Sequence, residues 1–263
     1  MGDIEKELSE VTVLCVGKER RMQTIHPQRV LGHALICLCA CALAGTASFA
    51  LLGGEMAAPS FTRSSQDLPF LMTRQVALGD LDEDGDLDAV FANMGTNDSL
   101  VWLNNGTGRF SDSGQKLTRQ GHGVAVRDLD GDGDRDIFIA CAEYNDHPLP
   151  SRIYLNDGNG QFSDSGQNLG DGAKSGVEVA LFDVDGDRDL DAMVGYYPDE
   201  SKIYRNDGHG RFSDSRIAVS GMPFPADLNR DGFIDFFIKD LGRGYQTLVN
   251  DGKGHFKKRW SLN

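Results

Sequence analysis

The nine residues DLDGDGDRD, positions 128 to 136, place an aspartate at every second position, and the pattern recurs three more times. Residues 80 to 88 read DLDEDGDLD, 183 to 191 read DVDGDRDLD and 227 to 235 read DLNRDGFID, spaced 44 to 55 residues apart. A second motif follows each loop at a nearly fixed distance: LNNGTGRF, LNDGNGQF, RNDGHGRF and VNDGKGHF. Self-similarity at this period is the signature of solenoids and propellers.

Short apolar runs fill the rest of each repeat. One precedes the acidic loop (VALGD, VAVRD, VALFD, PFPAD) and an alternating one follows it (LDAVFAN, DIFIACA, LDAMVGY, IDFFIKD). A third ends at Asn-Asp-Gly or Asn-Asn-Gly, a strong hairpin-turn signal, and a fourth begins at the Gly-x-Phe. Each repeat therefore reads as four short strands, the composition of one propeller blade. The 32 glycines suit tight turns, and no helical periodicity appears beyond the first 60 residues. The expected fold is all-β, a β-propeller-like array of four-stranded antiparallel blades: four complete repeats plus one extra strand, since Phe61-Thr-Arg-Ser-Ser-Gln66 resembles the fourth strand FSDSGQ of an absent earlier repeat. Four blades closing on themselves and an open arc with pairing edges both fit, the arc slightly better.

Residues 1–50 are different in kind and read as an N-terminal extension with a signal peptide or membrane anchor; 51–75 form a lead-in with the orphan strand, and 76–263 the blades. Residues 30 to 54 carry no formal charge and follow Arg20, Arg21 and Arg29. That pattern predicts a cleaved secretory signal, with an uncleaved anchor as its rival and a lipid-modified Cys41 as a third reading. All three export the blades to a secreted or cell-surface location. The charged stretch before Met22 is either a cytoplasmic tail or upstream of the true start. Of five cysteines only Cys141 lies in the repeats, within IFIACA, so it forms no internal bridge and reads as a buried, inert thiol.

Nearly half of the chain's 40 acidic residues sit in the four loops, in a chain of net charge -14. Neighbouring carboxylates repel one another, so such crowding makes physical sense around a cation. Side chains at the first, third and fifth places converge when a glycine at the sixth permits a sharp turn; the carbonyl of the seventh and the carboxylate of the ninth close the cage. Hard oxygen ligands in this number select calcium before magnesium, up to four ions in all. The candidate ligands are Asp80, Asp82, Asp84, Asp86 and Asp88; Asp128, Asp130, Asp132, Asp134 and Asp136; Asp183, Asp185, Asp187, Asp189 and Asp191; and Asp227, Asn229, Asp231, Phe233 and Asp235. Asp134 contributes its carbonyl, its side chain pointing away. An EF-hand is excluded because its twelfth position needs a glutamate, where this chain has Phe91, Ile139, Val194 and Ile238. Arg188 in place of the turn glycine and Asn229 in place of an aspartate mark the third and fourth sites as the weaker ones.

DxDxDGxxD followed by NDGxGxF resembles the FG-GAP or VCBS-type repeats of bacterial surface proteins, related to integrin α-subunit blades, over residues 61 to 261. The resemblance implies a β-propeller with calcium between the first and second strands of each blade, and commonly adhesion or carbohydrate recognition. The same repeat also serves as an accessory module on enzymes, so the fold does not settle function.

The acidic loops and NDG turns share one end of the blades, which is uniform. The other end is variable, and loops on a rigid scaffold are where binding residues concentrate. It carries Tyr144, His147, Tyr196 and Tyr197, candidate contacts for a carbohydrate or a cell-surface protein. Trp102, Tyr154 and Tyr204, and Phe110, Phe162, Phe212 and Phe256, recur at fixed places and read as packing. A polysaccharide-cleaving enzyme, with Glu143, Asp146 and His147 as acid and base, is the competing class. No nucleophile constellation or phosphate loop accompanies that cluster, so the expectation is a non-enzymatic binding or adhesion module. Its membrane contact would come only through an uncleaved anchor, and self-association through open blade edges. Nucleic acid is disfavoured as a partner by the net negative charge.

Overall fold

The computed structural model describes residues 64–66, 68, 71–144, 147–170, 174–197, 200–240 and 244–262. The expected N-terminal signal or anchor, its arginines and cysteines, and Phe61–Arg63 of the orphan strand lie outside the described residues.

The first blade is β1 (Thr73–Gly79), β2 (Asp88–Asn93), β3 (Asp98–Asn104) and β4 (Phe110–Arg119), hydrogen-bonded in that order. The second begins with β5 (Gly121–Arg127) and β6 (Asp136–Cys141). After β6 the chain makes a two-stranded ribbon, β7 (Glu143–Tyr144) with β8 (His147–Pro148), before β9 (Arg152–Asn156) and β10 (Phe162–Asp164) complete the sheet. The third is β11 (Ser175–Phe182), β12 (Asp191–Tyr197), β13 (Glu200–Asn206) and β14 (Phe212–Ser220), and the fourth β15 (Met222–Ala226), β16 (Asp235–Asp240), β17 (Gly244–Asn250) and β18 (Phe256–Leu262). All pairings within the blades are antiparallel, and the four sheets do not close into a ring. The expected strand content is present; β1 starts at Thr73, inside the stretch read as lead-in, and the ribbon of β7 and β8 is an addition.

The core sits between blades rather than within them. Successive side chains of a strand point to opposite faces, and β6 buries both: Ile137, Ile139 and Cys141 pack with Val90, Ala92 and Val101 of the first blade, while Phe138 and Ala140 pack with Val179, Ala192 and Val194 of the third. This two-sided burial explains why the second strands read as continuous apolar runs. A third cluster joins Phe182, Val184 and Met193 to Phe236 and Ile238 of the fourth blade. Cys141 is fully buried, and burial pushes its thiol up to about 11, as expected for an inert residue.

Candidate metal centres

Each acidic loop joins the first and second strands of its blade and is held by its own aspartates. The first aspartate caps the turn: Asp80, Asp128, Asp183 and Asp227 accept from the backbone N–H at the sixth place, at 3.2, 3.1, 3.0 and 3.0 Å. The sixth place is left-handed throughout, with φ of 91° at Gly85, 102° at Gly133, 80° at Arg188 and 91° at Gly232. Arg188 therefore holds a conformation that glycine adopts at no steric cost. A second left-handed position, the fourth, carries Glu83, Gly131, Gly186 and Arg230, and was not anticipated from the sequence. The only hint was glycine at that place in two of the four loops.

The ninth aspartate is fully buried in every loop and works as a staple. One oxygen of Asp136 accepts from the N–H of Leu129 at 2.8 Å and the other from Asn156 at 2.9 Å, tying the loop to the end of β9. Asp88, Asp191 and Asp235 make the same pair of bonds, to Leu81 and Asn104, Val184 and Asn206, and Leu228 and Asn250. Burial pushes Asp136 and Asp191 up to about 6 against the pull of these amides, and raises Asp88 in the same way.

Carboxylate oxygens of the first, third and ninth aspartates converge within 4.8 Å of one another in three loops: Asp80, Asp82 and Asp88; Asp128, Asp130 and Asp136; Asp183, Asp185 and Asp191. The fifth-place groups are turned toward their own loop, Asp84, Asp132, Asp187 and Asp231 each accepting the N–H of the seventh residue at 2.9 to 3.0 Å. Asp82, Asp130 and Asp185 are raised above the usual carboxylate range, first by burial and then by neighbouring carboxylates. The donor set fits a hard cation. Asp80 Oδ1 and Asp185 Oδ1 are buried with no hydrogen-bond partner, and a carboxylate oxygen in that position needs a positive ligand.

The seventh-place side chains turn away from the cage, as expected for Asp134. Asp134 and Asp189 lie over the hairpin glycine of their own blade: a Cβ at Gly158 would stand 2.7 Å from Asp134 Oδ2, and one at Gly208 2.6 Å from Asp189 Oδ2. Asp86 and Phe233 lie over Gly106 and Gly252 in the same manner.

Two loops depart from the pattern. In the fourth, Asn229 turns its amide toward Asp231 Oδ2 at 2.7 Å, and among the described residues no three-carboxylate cluster forms there. In the third, the Arg205 guanidinium lies 3.3 Å from Asp185 Oδ2 and opposes the rise of that carboxyl. Arg205 stands where the first two blades have Leu103 and Leu155, a departure that the sequence displayed and the reading missed.

Neighbouring blades are joined by side chains that no sequence expectation named. Gln115 accepts from the N–H of Phe162 at 2.8 Å and donates to Gly160 at 2.6 Å; Gln167 does the same to Phe212 and Gly210, at 2.8 and 2.6 Å. Gln66 likewise accepts from the N–H of Phe110 at 2.9 Å but donates to the carbonyl of Phe110 itself, so the orphan stretch occupies the place of a preceding blade's glutamine with half of the clasp changed. Its recurrence five residues after phenylalanine was the available signal.

At the variable end, Tyr196 is buried and its hydroxyl meets that of Tyr204 at 2.7 Å, which is a packing position. Tyr144 and His147 pair across the ribbon of β7 and β8, and Tyr197 pairs with Ser175; the side chains of all three lie outside the described part, as does Asp146. Tyr154, Phe162, Tyr204, Phe212 and Phe256 pack into or against the inter-blade clusters, in the role the sequence predicts.

No curated protein matches the sequence. Among solved structures, the chain is similar to a "putative exo-beta-1,3-galactanase from Bifidobacterium bifidum s17", at 12% identity over 71% of each chain with a TM-score of 0.43. It is also similar to "BBS1N in complex with ARL6DN, soaked with lead", at 12% identity over 73% of this chain and 68% of that one, with a TM-score of 0.35. The model of the FG-GAP-like repeat matches residues 80–139, 128–194 and 183–238, each match running from the first aspartate of one loop to the strand beyond the next. With more than half of its length matched in this loop-to-loop register, the chain belongs to the FG-GAP-like repeat family.

Proposed function

We propose that the chain is an exported calcium-binding module that holds carbohydrate or protein at a cell surface. The observation that carries the metal is the pair of orphaned buried oxygens, Asp80 Oδ1 and Asp185 Oδ1, each inside a convergent carboxylate cluster. Asp80, Asp82 and Asp88, and their counterparts in the second and third loops, would hold the ion; the fourth loop, with Asn229, contributes less charge. Bound calcium supplies the positive charge that crowded carboxylates lack.

The chain's own residues do the rest. The ninth aspartates and the glutamine clasps fix the blades, and the variable loops at the opposite end are carried on that frame as the recognition surface. Export is supported by the uncharged run at residues 30 to 54. A glycan array probed with the full chain, in calcium and in chelator, tests the module, beside an activity screen on the same polysaccharides. Calcium-dependent retention without turnover is the expected result. Product release in the screen would place the chain among polysaccharide-cleaving enzymes instead.

A further inference from the structure

Eight of the nine exposed large apolar side chains among the described residues lie on the first and last blades and the lead-in: Leu68, Met72, Val76, Leu78 and Leu87, and Phe224, Leu228 and Tyr245. Their places in the repeat explain the exposure. Val76 and Leu78 occupy in β1 the positions of Val124 and Val126 in β5, which are buried against the preceding blade, yet Val76 is 44% and Leu78 54% exposed. Phe224 occupies in β15 the position of Ala77, Ala125 and Ala180, which pack toward the following blade, and is 53% exposed. Leu228 follows its loop's first aspartate as Leu81, Leu129 and Val184 do; those three are buried and Leu228 is 44% exposed.

Polar halves of the joint are left over in the same way. Asn156 Nδ2 donates to Leu81 O of the preceding blade at 2.8 Å as well as to Arg135 O of its own at 3.1 Å. Asn206 makes the same two bonds, to Leu129 and Leu190, and Asn250 reaches back to Val184. Among the described residues Asn104 donates only within its own blade, to Leu87 O at 3.2 Å. One end of the array thus keeps the donor half of a joint that occurs three times inside it, and the other end keeps the acceptor half.

We infer that two copies of this chain join head to tail, the fourth blade of each covering the first blade of the other, with Asn104 of one copy donating to the Leu228 carbonyl of its partner. The occupant is a second copy because the two open faces are the two sides of one interface the chain already builds. Two four-blade copies give eight blades, within the range in which propellers close, and a head-to-tail contact that closes does not propagate into a filament. The outer end of the first blade is held in cis by Gln66, while Ser261 stands in the fourth blade at the place of the clasp glutamine. The copies therefore meet at the inner strands and the asparagine. This inference goes beyond the binding role proposed above and does not depend on it.

Sedimentation velocity of the full chain in non-ionic detergent, over a micromolar concentration series, tests it with Leu78→Asp and Phe224→Asp. The wild type is expected at twice the mass of one chain and each variant alone at one chain. An equimolar mixture of the two variants regains a two-chain species, because one intact joint remains between them. A wild type at one-chain mass throughout overturns the inference. So does association that either variant leaves untouched, or a mixture that stays at one-chain mass. Leu78→Gln and Phe224→Gln, with a melting temperature for every variant, separate loss of the joint from loss of the fold.

Discussion

Asn156 donates its side-chain amide to the carbonyl of Leu81, 75 residues earlier and one blade back, at 2.8 Å, while its own N–H donates to Asp136 at 2.9 Å. A single residue thus ties one blade's acidic loop to its neighbour's. Truncation leaves a buried carbonyl without its donor, at a cost of about 1–3 kcal/mol. Asn156→Ala and Asn206→Ala should therefore lower the unfolding free energy by that amount. Asn104→Ala, whose amide reaches no preceding blade of its own chain, should lower the unfolding free energy of the single chain by less. Urea denaturation of the three variants in one buffer checks the order.

Calcium should stabilise the fold. A ligand that binds only the native state adds about 4 kcal/mol per site at a thousandfold excess over its Kd. The melting temperature is expected to rise from chelator to millimolar calcium, and limited proteolysis near residues 80, 128, 183 and 227 to be suppressed. Equal melting temperatures, with cuts confined to the segment before residue 64, would count against the metal.

Acid should act in opposite directions on the two forms. Asp136 and Asp191 are raised by burial to about 6 in the folded chain from an ordinary value of 3.8. The folded state therefore binds more protons than the unfolded state between those values. The stability tied to these groups is complete below the unfolded value and is lost as pH rises through about 6. In chelator, the melting temperature should fall between pH 5 and pH 7 through this contribution; Asp136→Asn should flatten the slope. In calcium, which needs the ionised carboxylates, it should rise over the same interval.

The third loop offers two independent repairs. Arg188 holds φ at 80°, so Arg188→Gly should relieve about 1–2 kcal/mol of backbone strain. Arg205→Leu restores the residue of the first two blades and removes a cation 3.3 Å from Asp185, so calcium should bind this loop several-fold more tightly. Calorimetric titration of both variants distinguishes a gain in stability from a gain in affinity.

The hairpin turn is constrained by backbone angle rather than by space. Gly158 and Gly108 both have positive φ, at 78° and 74°, but a Cβ at Gly158 would stand 2.7 Å from Asp134 Oδ2 while one at Gly108 meets nothing within 4 Å. That oxygen is the far end of a flexible side chain that can swing aside, so Gly158→Ala should cost, like Gly108→Ala, the 1–2 kcal/mol or so of left-handed strain. Thermal melts of the pair check that the two costs match.

Blade architecture was legible because it is written in spacing: strand ends fall where Asp-Gly and Asn-Asp-Gly require turns, and the register follows. The sixth place of each loop was legible for the same reason, down to the left-handed Arg188, whereas the left-handed fourth place was not. Side-chain partnerships were harder to see. The ninth aspartate reads in the sequence as a ligand alone; the fold also gives both of its oxygens to backbone amides, placing Leu129 and Asn156 on either side of Asp136. The glutamine clasp and the pairing of Arg205 with Asp185 depend on which face of a strand meets the next blade. Tyr196 stands in a stretch that reads as an exposed loop, but β12 extends through it and turns the ring into the core.

Every joint between blades is built from parts that lie at fixed places inside the repeat, the asparagine on one side and the loop carbonyl on the other; the first two joints add the clasp of Gln115 or Gln167, whose place Ile217 fills in the third blade. A duplicated repeat inserted in frame would bring one half of each joint and find the other half waiting in its neighbours. Array length is thereby uncoupled from the redesign of any interface, and a lineage of such chains can gain or lose blades one unit at a time while its stability changes in nearly equal steps.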